Sequence, residues 1–145
     1  MIIEVKSEAE MKALAEKIGT QLKGGEVFEL IGDIGAGKTT FTKGLARGLA
    51  IDDDVQSPSF TISRMYEARD GLQLAHYDFY RLDDPGIMTN ELAEFANDAT
   101  TVTVVEWADV VEGVLPKDRM RIRITTPTET SRTVEITGFA NEERL

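Results

Sequence analysis

Glu26-Val27-Phe28-Glu29-Leu30-Ile31-Gly32-Asp33-Ile34-Gly35-Ala36-Gly37-Lys38-Thr39-Thr40 is the stretch that decides the fold. A short apolar run of strand character enters a glycine-rich turn and leaves it at Lys38, where a helical pattern begins with Phe41, Leu45, Ala46 and Leu49 on one face. Gly32, Gly37, Lys38 and Thr39 meet the Walker A spacing in its required context, a strand before and a helix after. Glycines let consecutive backbone N–H groups turn inward around phosphate oxygens, and the following helix presents its positive N-terminal end. Lys38 reaches the terminal phosphates, and the Thr39 hydroxyl is placed to ligate Mg²⁺. The alternative is a chance glycine turn, which the complete pattern in this context argues against. A dinucleotide fingerprint fails, because Thr40 stands where its third glycine is needed.

Working outward, Gly24-Gly25 ends a preceding helix that starts after Ser7, with Glu10 three residues on and Met11, Leu14, Ala15, Ile18 and Leu22 as its apolar stripe. Ile2 to Val5 reads as a short strand. On the other side, Asp52-Asp53-Asp54 and Ser57-Pro58-Ser59 mark a loop. Phe60 to Ala68 and Leu72 to Tyr80 then read as an antiparallel ribbon around Asp70-Gly71. After the break at Asp83-Asp84-Pro85-Gly86, Leu92, Phe95, Ala96 and Ala99 indicate a short amphipathic helix. Val102 to Val105 is a buried-type strand ending at Glu106, and alternation at Met120, Ile122, Ile124 and at Val134, Ile136 predicts two half-exposed strands. The expected architecture is a single three-layer α/β P-loop NTPase domain spanning residues 1–145, its mainly parallel sheet extended by the antiparallel ribbon and the C-terminal strands.

Composition bounds the function. A chain of 145 residues with 41% apolar and 29% charged residues has room for one compact domain and the balance of an ordered protein. The 16 Lys and Arg against 26 Asp and Glu give a net charge of -10, which repels nucleic acid and acidic membranes. Any RNA contact therefore needs a basic partner or a local patch such as Lys43, Arg47 or the Arg119, Arg121, Arg123 face; alternating surface charge is more often plain solvation. There is no cysteine, hence no disulfide or thiolate metal site, and no run of about 18 apolar residues to span a membrane. A cytoplasmic location is expected.

A hydrolytic P-loop site needs a carboxylate near the metal, and Glu106 ends an apolar strand where one is expected; it can also be read as the first polar residue after that strand. Trp107 then lies near the nucleotide or simply packs in the core. His76, Asp78 and Tyr80 recur with period two and share a strand face, expensive polar burial unless they have a task. Asp78 is the candidate for orienting or deprotonating water, against a hydrogen-bonded structural cluster. Arg81 suits either developing phosphate charge or a surface ion pair. Ser59 or Thr61, between the P-loop helix and the next strand, suits sensing of the γ-phosphate or an ordinary turn.

Taken in order, Gly32 to Thr40, Ser57-Pro58-Ser59-Phe60, His76-Tyr77-Asp78-Phe79-Tyr80-Arg81-Leu82, Asp84-Pro85 and Glu106-Trp107 resemble the TsaE (YjeE) family, small bacterial ATPases of tRNA threonylcarbamoyladenosine synthesis. The resemblance implies ATP and Mg²⁺ as ligands. Gly32, Asp33, Ile34, Gly35, Ala36, Gly37, Lys38, Thr39, Thr40, Ser59 and Trp107 would bind nucleotide, Thr39 and Glu106 would hold the metal, and Lys38, Asp78 and Glu106 would serve hydrolysis. It also implies TsaD-like and TsaB-like protein partners, with hydrolysis resetting the transferase complex between turnovers. This chain departs from the family in carrying Ser59 for a usual Thr, Gly86 to Asn90 for an acidic run, and Met11 for a first-helix Thr. Arg132 stands near an arginine the family often places before its last strand.

Three other functions compete. A small regulatory GTPase fits Asp83-Asp84-Pro85-Gly86 superficially, but no Asn/Thr-Lys-x-Asp guanine reader occurs. A small-molecule kinase needs an acceptor pocket and an arginine-bearing lid for which the chain has little room. A nucleotide-dependent binding module without appreciable turnover is the third.

Overall fold

The computed structural model describes residues 1–52, 54–56, 63–80, 82, 84, 86–139 and 145. In chain order its elements are β1 (Ile2–Val5), α1 (Glu8–Gly19), β2 (Val27–Ile31), α2 (Lys38–Gly48), β3 (Ser63–Glu67), β4 (Gln73–Asp78), α3 (Met88–Ala96), β5 (Thr101–Glu106), β6 (Met120–Thr125) and β7 (Arg132–Thr137). The described strands form one sheet in the order β1-β7-β6-β2-β5-β4-β3. The four central strands, β6, β2, β5 and β4, run parallel; β3, β7 and β1 are antiparallel additions at the two flanks. The first of the two C-terminal strands thus belongs to the parallel core, and only the second is an antiparallel addition.

Helices cover both faces, giving three layers. Met11, Leu14 and Ile18 of α1 and Phe41, Leu45 and Leu49 of α2 pack with Phe28, Leu30, Leu74, Val104, Ile122 and Val134 on one face. On the other, Leu92 and Ala96 of α3 and Ala108 and Val111 of a 3-10 segment (Ala108–Val114) pack with Val27, Ala75, Tyr77 and Val105. β5 has helices over both faces, so all six of its residues are buried, Thr101 and Thr103 included. β6 is covered on one face only and alternates buried and exposed.

Local chemistry sets the element ends. The Ser7 hydroxyl caps α1 by accepting from the Glu10 N–H at 3.1 Å, while the Glu10 carboxylate accepts from the Lys6 N–H. Asp70 and Gly71 both take the left-handed backbone that a primed hairpin turn demands. Arg69, on that turn, donates to the carbonyls of Gly19, Thr20, Leu22 and Gly48, satisfying acceptors left open where α1 and α2 end. The two helices approach at backbone distance: a Cβ on Gly48 would sit 2.5 Å from the Glu16 carbonyl oxygen.

Three expectations change. β4 stops at Asp78 rather than Tyr80, because the Asp78 carboxylate accepts from the Tyr80 N–H at 2.9 Å and bends the chain out of the ladder. Arg119 does not share a solvent face with Arg121 and Arg123. It is buried, donating to Glu29 at 2.8 Å and to the Pro116 carbonyl at 3.0 Å, since a guanidinium enters the interior only with such partners. α1 also ends earlier than expected, at Gly19 rather than at Gly24-Gly25. The Ser57 to Thr61 loop, with Ser59, lies outside the described residues, as do Arg81, Asp83 and Pro85. No helix among the described residues is long and apolar enough to cross a membrane.

Candidate functional site

Parallel pairing brings the carboxyl ends of β2, β4, β5 and β6 to one end of the sheet, where crevices of open α/β sheets form. β1 runs antiparallel to β7, so its exit into α1 is at that same end, as is the β6–β7 loop. A cavity of about 770 Å³ opens there, lined by Ile34 to Thr40, by Asp78, Tyr80, Glu106 and Trp107, and by Ser7 and Met11 of the α1 entry with Glu129 and Arg132 of the loop.

The phosphate loop has the backbone its glycines promised. Gly35 and Gly37 sit at φ 79° and 114°, and Gly37 heads α2 with no side-chain cap. The first N–H groups of that helix have no intrahelical partner and carry the positive end of its dipole, a built anion site. Gly32 and Asp33 do not line the main cavity. They border a smaller neighbouring one, and the Gly32 carbonyl accepts from Lys38 Nζ at 2.7 Å. Arg132 fastens the loop from behind, donating to the Ala36 carbonyl at 3.0 Å.

Lys38 is buried, and burial pulls its pKa below the ordinary lysine value; the carboxylates of Glu106, Asp78 and Asp33 oppose that shift and favour the charged form. Its Nζ also lies 3.9 Å from the centroid of the Trp107 ring, a cation–π contact. Trp107 holds φ 55°, ψ 54°, a left-handed conformation costing a bulky residue about 1–3 kcal/mol, and its ring packs against Tyr80 at 4.9 Å. That strain turns the indole into the cavity directly after Glu106.

Asp78 and Glu106 are register partners on β4 and β5, so both project from the same face, toward the cavity. Two nearly buried carboxylates side by side repel unless cations join them, and Lys38 is one. The donor set also suits Mg²⁺. That ion is bound through few protein oxygens plus phosphates and water, and Thr39 and Glu106 both line the cavity. Among the described residues no three His, Asp or Glu side chains form a metal cage, and this mode of binding needs none.

Of the residues singled out from sequence, Ile34 to Thr40, Asp78, Glu106 and Trp107 converge on the cavity. His76 does not line it. Its ring bonds the Glu106 carboxylate, Nε2 to Oε2 at 2.6 Å. As site residues, Met11 and Arg132 are marked only by the family resemblance, without a contact; the clasp of Arg132 on Ala36 and the walls given by Ser7 and Glu129 depend on how β1 and β7 pair.

Residues 5–134 match the family described as Threonylcarbamoyl adenosine biosynthesis protein TsaE. A Bacillus subtilis protein named tRNA threonylcarbamoyladenosine biosynthesis protein TsaE is 42% identical over 137 residues, covering 94% of this chain and 84% of that one. Its namesake from Streptomyces coelicolor is 37% identical over 115 residues, covering 79% and 78%. The crystal structure of YdiB from Bacillus subtilis superposes with a TM-score of 0.77 at 37% identity, over 97% of this chain and 86% of that chain.

Proposed function

We propose that this chain, which belongs to the TsaE family, is the ATP-hydrolysing component of the machinery that makes threonylcarbamoyladenosine in tRNA. The observation that carries the hydrolytic part is the meeting of Lys38, Asp78 and Glu106 beside an uncapped helix N-terminus. ATP enters with its phosphates against the backbone N–H groups of Gly35 to Thr40, where the α2 dipole and Lys38 neutralise charge on the terminal phosphates. Thr39 and Glu106 would hold Mg²⁺, whose chemistry there would be Lewis-acid neutralisation of phosphoryl charge.

Asp78 aligns water on the γ-phosphorus. As the new P–O bond forms, the bond to the β–γ bridging oxygen breaks, the water proton passes to the Asp78 carboxylate or onward to solvent, and ADP and phosphate are the products. Trp107 shields Lys38 from solvent, which strengthens every charge interaction in the cleft. Family membership supports this reading over a regulatory GTPase or a small-molecule kinase.

Partners are TsaD-like and TsaB-like subunits, with hydrolysis resetting their complex between turnovers; a net charge of -10 favours docking onto protein and leaves tRNA contact indirect. Copurification with those subunits in the presence of ATP and Mg²⁺, and its loss in Lys38→Ala, tests the assignment. Failure to associate under any nucleotide condition refutes the partner part.

A further inference from the structure

His76 stands on the sheet face that carries Asp78 and Glu106, yet it is fully buried and faces the core beneath the cavity rather than the cavity itself. It is register partner to Val104, two residues before Glu106, so its ring leans diagonally across to the next strand. There Nε2 meets Glu106 Oε2 at 2.6 Å, with both side chains out of water. Nδ1 is buried and has no hydrogen-bond partner among the described residues.

These facts fix the proton. A carboxylate serving as a metal ligand only accepts hydrogen bonds, so Nε2 must carry the hydrogen and donate it. Buried and held against Oε2, the imidazole is a donor aimed at a single oxygen of Glu106.

We propose that His76 is a positioning residue for the metal: it holds Oε2 of Glu106 and so fixes the orientation of the carboxylate that would ligate Mg²⁺ beside the nucleotide. The inference rests on Glu106 being a metal ligand, as proposed above. Outer-shell donors of this kind orient the ligand before the ion arrives, and losing one typically costs about 10–100-fold in metal affinity.

The test compares ADP affinity by calorimetry in Mg²⁺ and in EDTA, the ratio being the metal's contribution. His76→Phe keeps the ring volume and removes the donor; His76→Gln keeps an N–H able to reach Glu106. The ratio should fall about tenfold or more in His76→Phe and return close to wild type in His76→Gln, with affinity in EDTA unchanged in both. Should His76→Phe not fold, His76→Asn, whose amide is too short to reach, replaces it. An unchanged ratio, or a loss equal in Mg²⁺ and EDTA, overturns the proposal. Glu106→Gln separates the two levels: if it leaves the ratio intact, Glu106 is not the ligand and the premise fails. If it removes the metal's contribution while His76→Phe does not, only the role of His76 fails.

Discussion

The Lys38 ammonium lies 3.9 Å from the centre of the Trp107 ring, and it reaches that place while bonded to the Gly32 carbonyl. Lys38 thus has its charge satisfied within the protein, and phosphate must compete with Gly32 and the indole for it. Trp107 is the chain's only tryptophan, so its emission reports that exchange. Saturating ADP should change the emission, and Lys38→Met should shift the starting spectrum and abolish the response. An unchanged spectrum when calorimetry shows nucleotide bound would contradict the arrangement.

The contact between α1 and α2 tolerates no added methyl at Gly48, where a Cβ meets the Glu16 carbonyl oxygen at 2.5 Å. Gly48→Ala must push the helices apart and should lose about 1–3 kcal/mol in urea unfolding. Gly113, with nothing within 4 Å, is the control; its alanine variant should stay within about 0.5 kcal/mol of wild type. Equal stability of the two variants would show that the helices yield freely.

Tyr77 donates its buried phenol to Glu91 of α3 at 2.6 Å, and burial, then that carboxylate, push its pKa above the ordinary value. Below about pH 10 the phenol is protonated in folded and unfolded chains alike and its contribution is fully present. Above it the unfolded chain loses the proton while the folded one keeps it, so stability falls as pH rises toward the folded pKa. Tyr77→Phe should lower stability at pH 7 by about 1–2 kcal/mol and flatten the decline between pH 10 and 11. A variant retaining the full wild-type slope would assign the decline to other groups.

What was legible in the sequence was local. The strand, turn and helix around Gly32 to Thr39 follow from spacing over adjacent residues, and β5 from its valine-rich run to Glu106. What was not legible depends on pairing between distant segments. Arg119 reads as surface charge until Glu29 of β2 is brought beside it, and Arg132, marked only by the family resemblance, has no role until β7 carries it to Ala36. His76 reads as a companion of Asp78, two residues away, whereas the parallel register hands its ring to Glu106. The end of β4 was misjudged for the opposite reason: a local side-chain bond from Asp78 overrode the strand pattern.

We propose that Asp78 and Glu106, register partners beside Lys38, make the phosphate loop hydrolytic. Phosphate release from ATP in Mg²⁺, measured with the TsaD-like and TsaB-like subunits present, tests it most directly. Wild type should turn over faster with those subunits than alone, and Asp78→Asn should fall by about 10²-fold or more while still binding nucleotide. Wild-type release no faster than that of Lys38→Ala, despite tight ATP binding, would contradict the account and make the chain a nucleotide-dependent binding module.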